Sequence, residues 1–158
     1  MSFEFNADEI FAVAEEIERN GAVFYRVAAG QTKDDDAKKL LEDLAAMEDD
    51  HLKTFLTMRE GLTERDRKAM TFDPNDEAAL YLNALADTRV FFKKTMSTVA
   101  PEDIFKAAIL AEKDSIAFYL GMKEVVPRSA GKGQLEDIIR EEMRHVRILS
   151  ERLAASRR

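Results

Sequence analysis

The chain has 158 residues, of which 46% are hydrophobic and 35% are charged, and it contains no cysteine. This composition excludes collagen-like and disordered classes, and the lack of cysteine excludes disulfide scaffolds, thiolate metal centres and cysteine nucleophiles. A formal net charge of −7 argues against nucleic-acid binding, which needs clustered basic side chains. No apolar run is long enough to span a bilayer, and the acidic N-terminal residues do not resemble a signal peptide. We therefore expect a cytoplasmic protein that does not bind membranes.

Helical periodicity runs through the sequence, and no segment alternates with the period of a strand over a useful length. The apolar stripes predict five helices, which cover approximately Ala7–Ala29, Asp36–Glu60, Glu77–Lys94, Pro101–Val125 and Gln134–Ala155. Four of them have the length of bundle helices, and one is short.

Turn and capping residues set the predicted ends of these helices. Gly30 and Gly61 are expected to close the first two helices, and Asp34–Asp36 offer caps for the second. The polar stretch Phe72–Asp76 predicts a turn before the short helix, and residues 127–133 break the chain before the last one. We therefore predict an all-α protein: a four-helix bundle with an extra short helix in the crossover between bundle helices 2 and 3.

The sequence also contains an internal repeat at an offset of 94 residues. Of the 42 residues between positions 10 and 51, 12 recur 94 positions later, which is about 29% against the roughly 6–8% expected by chance. The repeat therefore predicts two helix hairpins of similar plan, joined by the short middle helix. The repeat pairs Glu18 with Glu112, Tyr25 with Tyr119, Glu48 with Glu142, and His51 with His145.

The four glutamates and both histidines of the repeat lie in phase with the apolar stripes, so we expect them to face the core. Buried unpaired carboxylates would cost several kcal/mol each, whereas two divalent cations balance four carboxylates, with neutral imidazoles completing the ligation. Mixed oxygen and nitrogen donors suit iron, manganese or zinc. The sequence thus predicts a dinuclear metal site with the ligands Glu18, Glu48, His51, Glu112, Glu142 and His145.

Other polar residues near this pattern have simpler interpretations. A single inward Glu or His is more often a hydrogen-bonded core group than a ligand. Tyr25 and Tyr119 are candidate catalytic residues that act through hydrogen bonds to ligating carboxylates, but core packing explains them equally well. Glu15, Glu16 and Glu141 lie outside the predicted ligand phase and are expected on the solvated surface, and the methionines are expected to fill the core.

The order Glu, Glu-x-x-His, Glu, Glu-x-x-His on four helices resembles the ferritin-like di-iron carboxylate superfamily. Within it, the segments IERNGAVFY, LAAMEDDHLKTF, AEKDSIAFY and IIREEMRHVRIL are most similar to the rubrerythrin-like branch. The resemblance covers about residues 7–155 and all six ligand positions, and it implies a single ferritin-like domain over residues 1–158. Two features depart from rubrerythrins. The sequence has no cysteine to ligate the iron of a rubredoxin-like domain, and Ile109 and Ser115, near Glu112, do not supply the additional carboxylate of that family.

This resemblance implies a non-haem di-iron oxidoreductase that reduces hydrogen peroxide, or dioxygen, with electrons from an external donor such as a rubredoxin-like protein or a flavoprotein. It also implies two iron ions as cofactor, with manganese or zinc as substitutes, and a homo-oligomer, expected to be a dimer. Two alternatives stay open. One is an iron-binding, ferroxidase or storage module without peroxidase turnover, and the other is an all-α interaction protein whose site holds a structural metal or none.

Overall fold

A computed structural model describes residues 6–68, 77–88 and 100–157 of the chain. Within these ranges all regular structure is helical and no strand is present, which confirms the predicted all-α architecture. No helix in these ranges is long and apolar enough to cross a lipid bilayer. In chain order the helices are α1 Ala7–Gln31, α2 Asp35–Glu60, α3 Glu64–Lys68, α4 Glu77–Thr88, α5 Pro101–Val125 and α6 Lys132–Ser156, with a 3-10 turn at Arg128–Ala130 before α6.

Two helix hairpins form the bundle, because α1 packs along α2 and α5 packs along α6. The hairpins meet through α1 with α5 and α2 with α6. Their apolar stripes form one core, in which Phe11 and Phe55 meet edge to face with ring centroids 6.3 Å apart. Burying a side chain of this size contributes about 1.5–3 kcal/mol, so the shared core holds the two hairpins together.

Side-chain caps explain where the first two helices begin. Asn6 accepts a hydrogen bond from the backbone N–H of Glu9, and the Glu9 carboxylate accepts one from the backbone N–H of Asn6. This reciprocal capping box is not among the sequence predictions. Asp34 caps α2 as predicted, because its carboxylate accepts a hydrogen bond from the backbone N–H of Ala37 at 3.1 Å.

Two predicted helix ends differ from the structure by two residues. α1 does not stop at Gly30 but continues for one more residue, and Thr32 forms the C-cap with its hydroxyl donating to the carbonyl of Ala28 at 2.7 Å. α6 starts at Lys132, two residues before its predicted start. It can start there because Gly131 adopts a left-handed backbone with φ of 93°, which turns the chain directly into the helix.

In the described residues between α2 and α5, the chain forms two helices rather than one. The five-residue α3 is too short to show a periodic stripe in the sequence, and its Arg67 donates to Asp8 of α1 at 2.7 Å. The predicted extra helix is α4, which packs on α5, confirming the crossover helix. Its predicted end at Lys94 and the predicted turn at Phe72–Asp76 lie outside the described residues.

A glycine on α5 allows α4 to approach closely. A Cβ at Gly121 would lie 2.8 Å from Cδ1 of Tyr81 and 2.9 Å from Cδ2 of Leu82. One turn earlier on α5, the carbonyl of Ala117 accepts a hydrogen bond from the Tyr81 hydroxyl at 2.8 Å. α4 therefore covers the outer face of α5, and the four long helices enclose the centre of the bundle.

Candidate metal centre

The six side chains that the sequence predicts as ligands come together inside the bundle. α1 and α5 each provide one glutamate, and α2 and α6 each provide a glutamate and a histidine three residues apart. Each lies in the stripe of its helix that packs into the core, so the apolar neighbours of the stripe carry it inward. The six are at most 3% exposed: Glu18, Glu48, His51, Glu112, Glu142 and His145.

Their donor atoms form two groups, and within each group the atoms lie within 4.8 Å of one another. Glu48 and Glu142 belong to both groups, so each lies within reach of two neighbouring candidate positions for a cation. Each group also takes a residue from each hairpin. The first group is Glu18, Glu48, His51 and Glu142, and the second is Glu48, Glu112, Glu142 and His145.

Both imidazole rings turn their Nδ1 atoms toward the carboxylates. Nδ1 of His51 lies 2.9 Å from Oε1 of Glu142 and 3.4 Å from Oε2 of Glu18. Nδ1 of His145 lies 3.2 Å from Oε2 of Glu142 and 3.3 Å from Oε1 of Glu48. The two rings are nearly parallel, with centroids 5.7 Å apart. The Nε2 atoms therefore point away from the cluster.

Seven buried atoms of the cluster make no hydrogen bond within the described part of the chain. Leaving one buried polar atom unsatisfied costs about 1–3 kcal/mol, so seven at one place require a compensating partner. Carboxylate oxygens and imidazole nitrogens are donors that divalent transition metals bind, and the residues present therefore fit a pair of such ions. The atoms are Glu18 Oε2, Glu48 Oε1, His51 Nδ1, Glu112 Oε2, Glu142 Oε1 and Oε2, and His145 Nδ1.

A tyrosine from each hairpin holds a glutamate of the other hairpin. The Tyr25 hydroxyl donates to Oε1 of Glu112, and the Tyr119 hydroxyl donates to Oε1 of Glu18. In both glutamates the other oxygen, Oε2, belongs to the cluster and makes no hydrogen bond within the described part of the chain. Burial, and then the charge of the bonded glutamate, raises the pKa of both tyrosines well above the ordinary value, so the hydroxyls keep their protons and act as donors.

The side chains of the cluster differ in the direction in which their pKa values are shifted. Burial, and then the charge of Glu142, raises the pKa of both Glu48 and Glu112 well above the ordinary value. Burial also opposes ionisation of Glu142, but the nearby side chains of Glu112, His145 and His51 outweigh this effect and lower its pKa. Burial lowers the histidine pKa values, yet the neighbouring carboxylates raise the pKa of His51 to about 12 and that of His145 to about 10. Metal ions that bind here must displace these protons.

One of the glutamates predicted to be on the surface is instead buried. Glu15 is 5% exposed, and its Oε2 accepts a hydrogen bond from Nη1 of Arg59 at 3.0 Å. The prediction is wrong because the helix phase of Glu15 points toward α2, where Arg59 supplies the compensating charge, as it does for Asp8. Glu16 is exposed, as predicted.

Glu141 is exposed as predicted, but it also contacts the cluster. Its side chain is 56% exposed, and its Oε2 lies 2.6 Å from Nε2 of His51. The equivalent neighbour of His145 is Sδ of Met47, at 3.2 Å from Nε2. Neither contact follows from the sequence, although the 94-residue offset places Met47 and Glu141 at equivalent positions.

No protein-family model matches the chain, and no curated protein matches it. Among solved structures, the chain is similar to a crystal structure from Thermotoga maritima that is provisionally described as a ferritin-like diiron-carboxylate protein. The TM-score is 0.72, with 96% of this chain and 97% of that chain covered and 22% of the residues identical.

The chain has the ferritin-like fold. This confirms the predicted bundle with its extra crossover helix. In this ferritin-like bundle the clustered glutamates and histidines lie between the two hairpins and offer two adjacent sets of donor atoms for metal ions.

Proposed function

We propose that the chain is a di-iron carboxylate oxidoreductase of rubrerythrin type, which reduces hydrogen peroxide, or dioxygen, with electrons from an external donor. One observation carries the proposal: six buried side chains aim seven unsatisfied donor atoms at one place, in two groups that share Glu48 and Glu142. The oxygen and nitrogen donors, without thiolates, suit a pair of iron ions. The description of the similar Thermotoga maritima structure as a diiron-carboxylate protein supports the same assignment.

The residues divide into two that are shared and two at each ion. The shared carboxylates, Glu48 and Glu142, would balance part of the charge of both ions. A pair of ferrous ions held here would supply two electrons, which together with two protons would convert one hydrogen peroxide molecule into two water molecules. One ion would be held by Glu18 and His51, the other by Glu112 and His145, and both by Glu48 and Glu142.

The surrounding side chains bury the cluster and hold two of its glutamates in place. Tyr25 and Tyr119 fix the orientation of one glutamate each through their hydroxyl hydrogen bonds. Phe24 packs edge to face on Tyr25 with ring centroids 5.4 Å apart, and Phe118 packs in the same way on Tyr119 at 6.1 Å. Because the six candidate ligands are at most 3% exposed, a small oxidant is expected to reach them more readily than a larger substrate.

The proposal includes an external electron donor, because the sequence has no cysteine with which to hold a rubredoxin-type iron centre. A rubredoxin-like protein or a flavoprotein is the class of donor that we propose. Such a donor is expected to return the oxidised centre to the ferrous state at a rate that depends on the donor concentration.

Rapid mixing of the iron-loaded protein tests the proposal. The chain is loaded anaerobically with ferrous iron and mixed in a stopped-flow instrument with hydrogen peroxide or with air-saturated buffer. We expect two ions per chain and oxidation that is much faster with peroxide. The variant Glu48→Gln is expected to lose both ions and the reaction, and Glu15→Gln, which changes a buried glutamate outside the cluster, is expected to keep both.

The outcomes separate the alternatives. Faster oxidation in air would contradict the peroxide assignment and favour dioxygen as the substrate. Two bound ions that neither oxidant oxidises would indicate an iron-binding module without turnover. Failure to bind iron would overturn the proposal as a whole.

A further inference from the structure

The two halves of the cluster are alike toward its centre and different behind it. Both histidines point Nδ1 toward the carboxylates. Each also lies next to a glutamate that is hydrogen-bonded to a tyrosine of the other hairpin. Behind the rings this similarity ends. Nε2 of His51 meets a carboxylate oxygen of Glu141 at 2.6 Å, whereas Nε2 of His145 meets the thioether sulfur of Met47 at 3.2 Å.

This difference acts on the histidine nitrogen that would bind a metal. An ionised carboxylate only accepts hydrogen bonds, so the Nε2 atom that faces Glu141 must carry the proton. In the neutral ring this leaves the lone pair on Nδ1, the nitrogen that points to the cluster. The negative charge of Glu141 also makes Nδ1 of His51 a stronger electron-pair donor.

Met47 has a weaker effect on His145, both on the tautomer of the ring and on the donor strength of its Nδ1 atom. A thioether sulfur is a weak hydrogen-bond acceptor without charge, so it fixes the His145 tautomer weakly and adds little to the donor strength of the ring. The other ligands are balanced between the two groups, because each group has one glutamate of its own and the same two shared glutamates. The outer neighbours of the histidines are therefore the main difference in chemistry between the two groups.

We propose that Glu141 is a positioning residue for His51 and makes the two metal positions unequal, so that the position at His51 binds a divalent ion more tightly than the position at His145. The inference rests on the proposed function, since it concerns the same pair of ions. Loss of a carboxylate that bonds a ligating histidine typically weakens metal binding by about 10–100-fold, which sets the size of the expected inequality.

Titration with cobalt tests this inference without any need for turnover. Co²⁺ alone is added anaerobically to the full chain, and binding is followed by calorimetry and by the visible absorption of the bound ion. For the unchanged chain we expect two ions in two steps, whose dissociation constants differ by about 10–100-fold. In Glu141→Gln the first step is expected to weaken by about that factor while both ions still bind, and the absorption of the first equivalent is expected to change.

The equivalent position on α2 offers a reciprocal variant. Met47→Glu gives His145 a carboxylate neighbour, so we expect the second step to tighten and the two steps to merge. Met47→Gln, of the same length but without charge, is expected to leave the two steps separate. Circular dichroism of the metal-free variants checks that they are folded. If Met47→Glu does not fold, Glu141→Gln still tests the inference because the Glu141 side chain is largely exposed.

The failures are distinguishable. Two ions bound with equal affinity in the unchanged chain would overturn the inequality and leave the dinuclear site intact. If Glu141→Gln binds cobalt in the same two separate steps as the unchanged chain, Glu141 is not the cause of the inequality between the two positions. Absence of cobalt binding in the unchanged chain would overturn the proposed function and, with it, this inference.

Discussion

Replacing Glu48 by glutamine is expected to change the stability of the protein in opposite directions without and with metal. In the metal-free protein, burial and the neighbouring charges raise the pKa of Glu48 well above its ordinary 4.5. A group whose pKa is raised on folding stabilises the fold at low pH and loses that contribution as the pH rises. At neutral pH the unfolded chain ionises Glu48 and the folded chain resists doing so. Glutamine removes this penalty, so metal-free Glu48→Gln is expected to unfold at a higher temperature than the unchanged chain.

With metal the sign reverses, because Glu48 belongs to both donor groups. An ion present at 100 times its dissociation constant stabilises the folded state by about 2.7 kcal/mol, and two independent ions by about 5 kcal/mol. A protein of this length gains about 2–4 °C in Tm for each kcal/mol, so saturating metal is expected to raise the Tm of the unchanged chain by about 10–20 °C. In Glu48→Gln most of this increase is expected to disappear.

The assay is thermal unfolding followed by circular dichroism, with chelator or with increasing Mn²⁺. Glu15→Gln is the matched control, since Glu15 is buried but bonds to Arg59 rather than to the cluster. Its metal-free form is expected to be less stable, because the substitution weakens a buried ion pair, while its gain from Mn²⁺ stays intact.

Two results would refute the reasoning. An equal Mn²⁺-dependent rise in Tm for the unchanged chain and for Glu48→Gln would mean that the metal binds elsewhere. A metal-free Glu48→Gln that is clearly less stable than the unchanged chain would mean that Glu48 stabilises the core as an ordinary hydrogen-bonded group.

Three further predictions concern the surroundings of the cluster. Tyr119→Phe removes the hydroxyl that donates to Glu18 and is expected to lower the free energy of unfolding by about 1–3 kcal/mol in urea titrations. A free energy of unfolding that does not change beyond experimental error would contradict the hydrogen bond. The stability of the metal-free protein is expected to fall as the pH rises from 6.5 toward about 10. In the folded protein both histidines stay protonated, with pKa values of about 12 for His51 and about 10 for His145, whereas in the unfolded chain they lose their protons. Urea unfolding at several pH values measures this, and a stability that rises over the range would contradict it. Gly121→Ala is expected to lower the free energy of unfolding by about 1–3 kcal/mol, because the added Cβ would collide with α4, and to leave two ions per chain in metal analysis. Unchanged stability would mean that α4 does not pack on α5 as described.

Helical phase and capping chemistry suffice to predict most of the fold. The predicted bounds of the four long helices agree with the structure to within two residues, because each has a continuous apolar stripe and polar or glycine residues at its ends. The differences come from interactions that a stripe does not encode. Thr32, rather than Gly30, caps the end of α1, and α3 is held by the hydrogen bond from Arg67 to Asp8 of α1.

The convergence of the six candidate ligands follows from the same information, because phase places each one inward and the 94-residue repeat relates the two halves. Their role as metal ligands stays a prediction. Phase alone does not determine what a long side chain reaches beyond its own helix. Glu15 finds Arg59 on α2, and Glu141 reaches from solvent to His51, and neither contact is visible before the helices are placed side by side.

The covalent link between the two hairpins has a consequence for how the halves can diverge. If two separate copies of one hairpin paired about an exact two-fold axis, each histidine would necessarily have the same outer neighbour, and any substitution would alter both at once. A single gene that encodes both copies removes this constraint. Glu141 and Met47 occupy corresponding places in the two copies and are different residues, an individuality that identical subunits could not have.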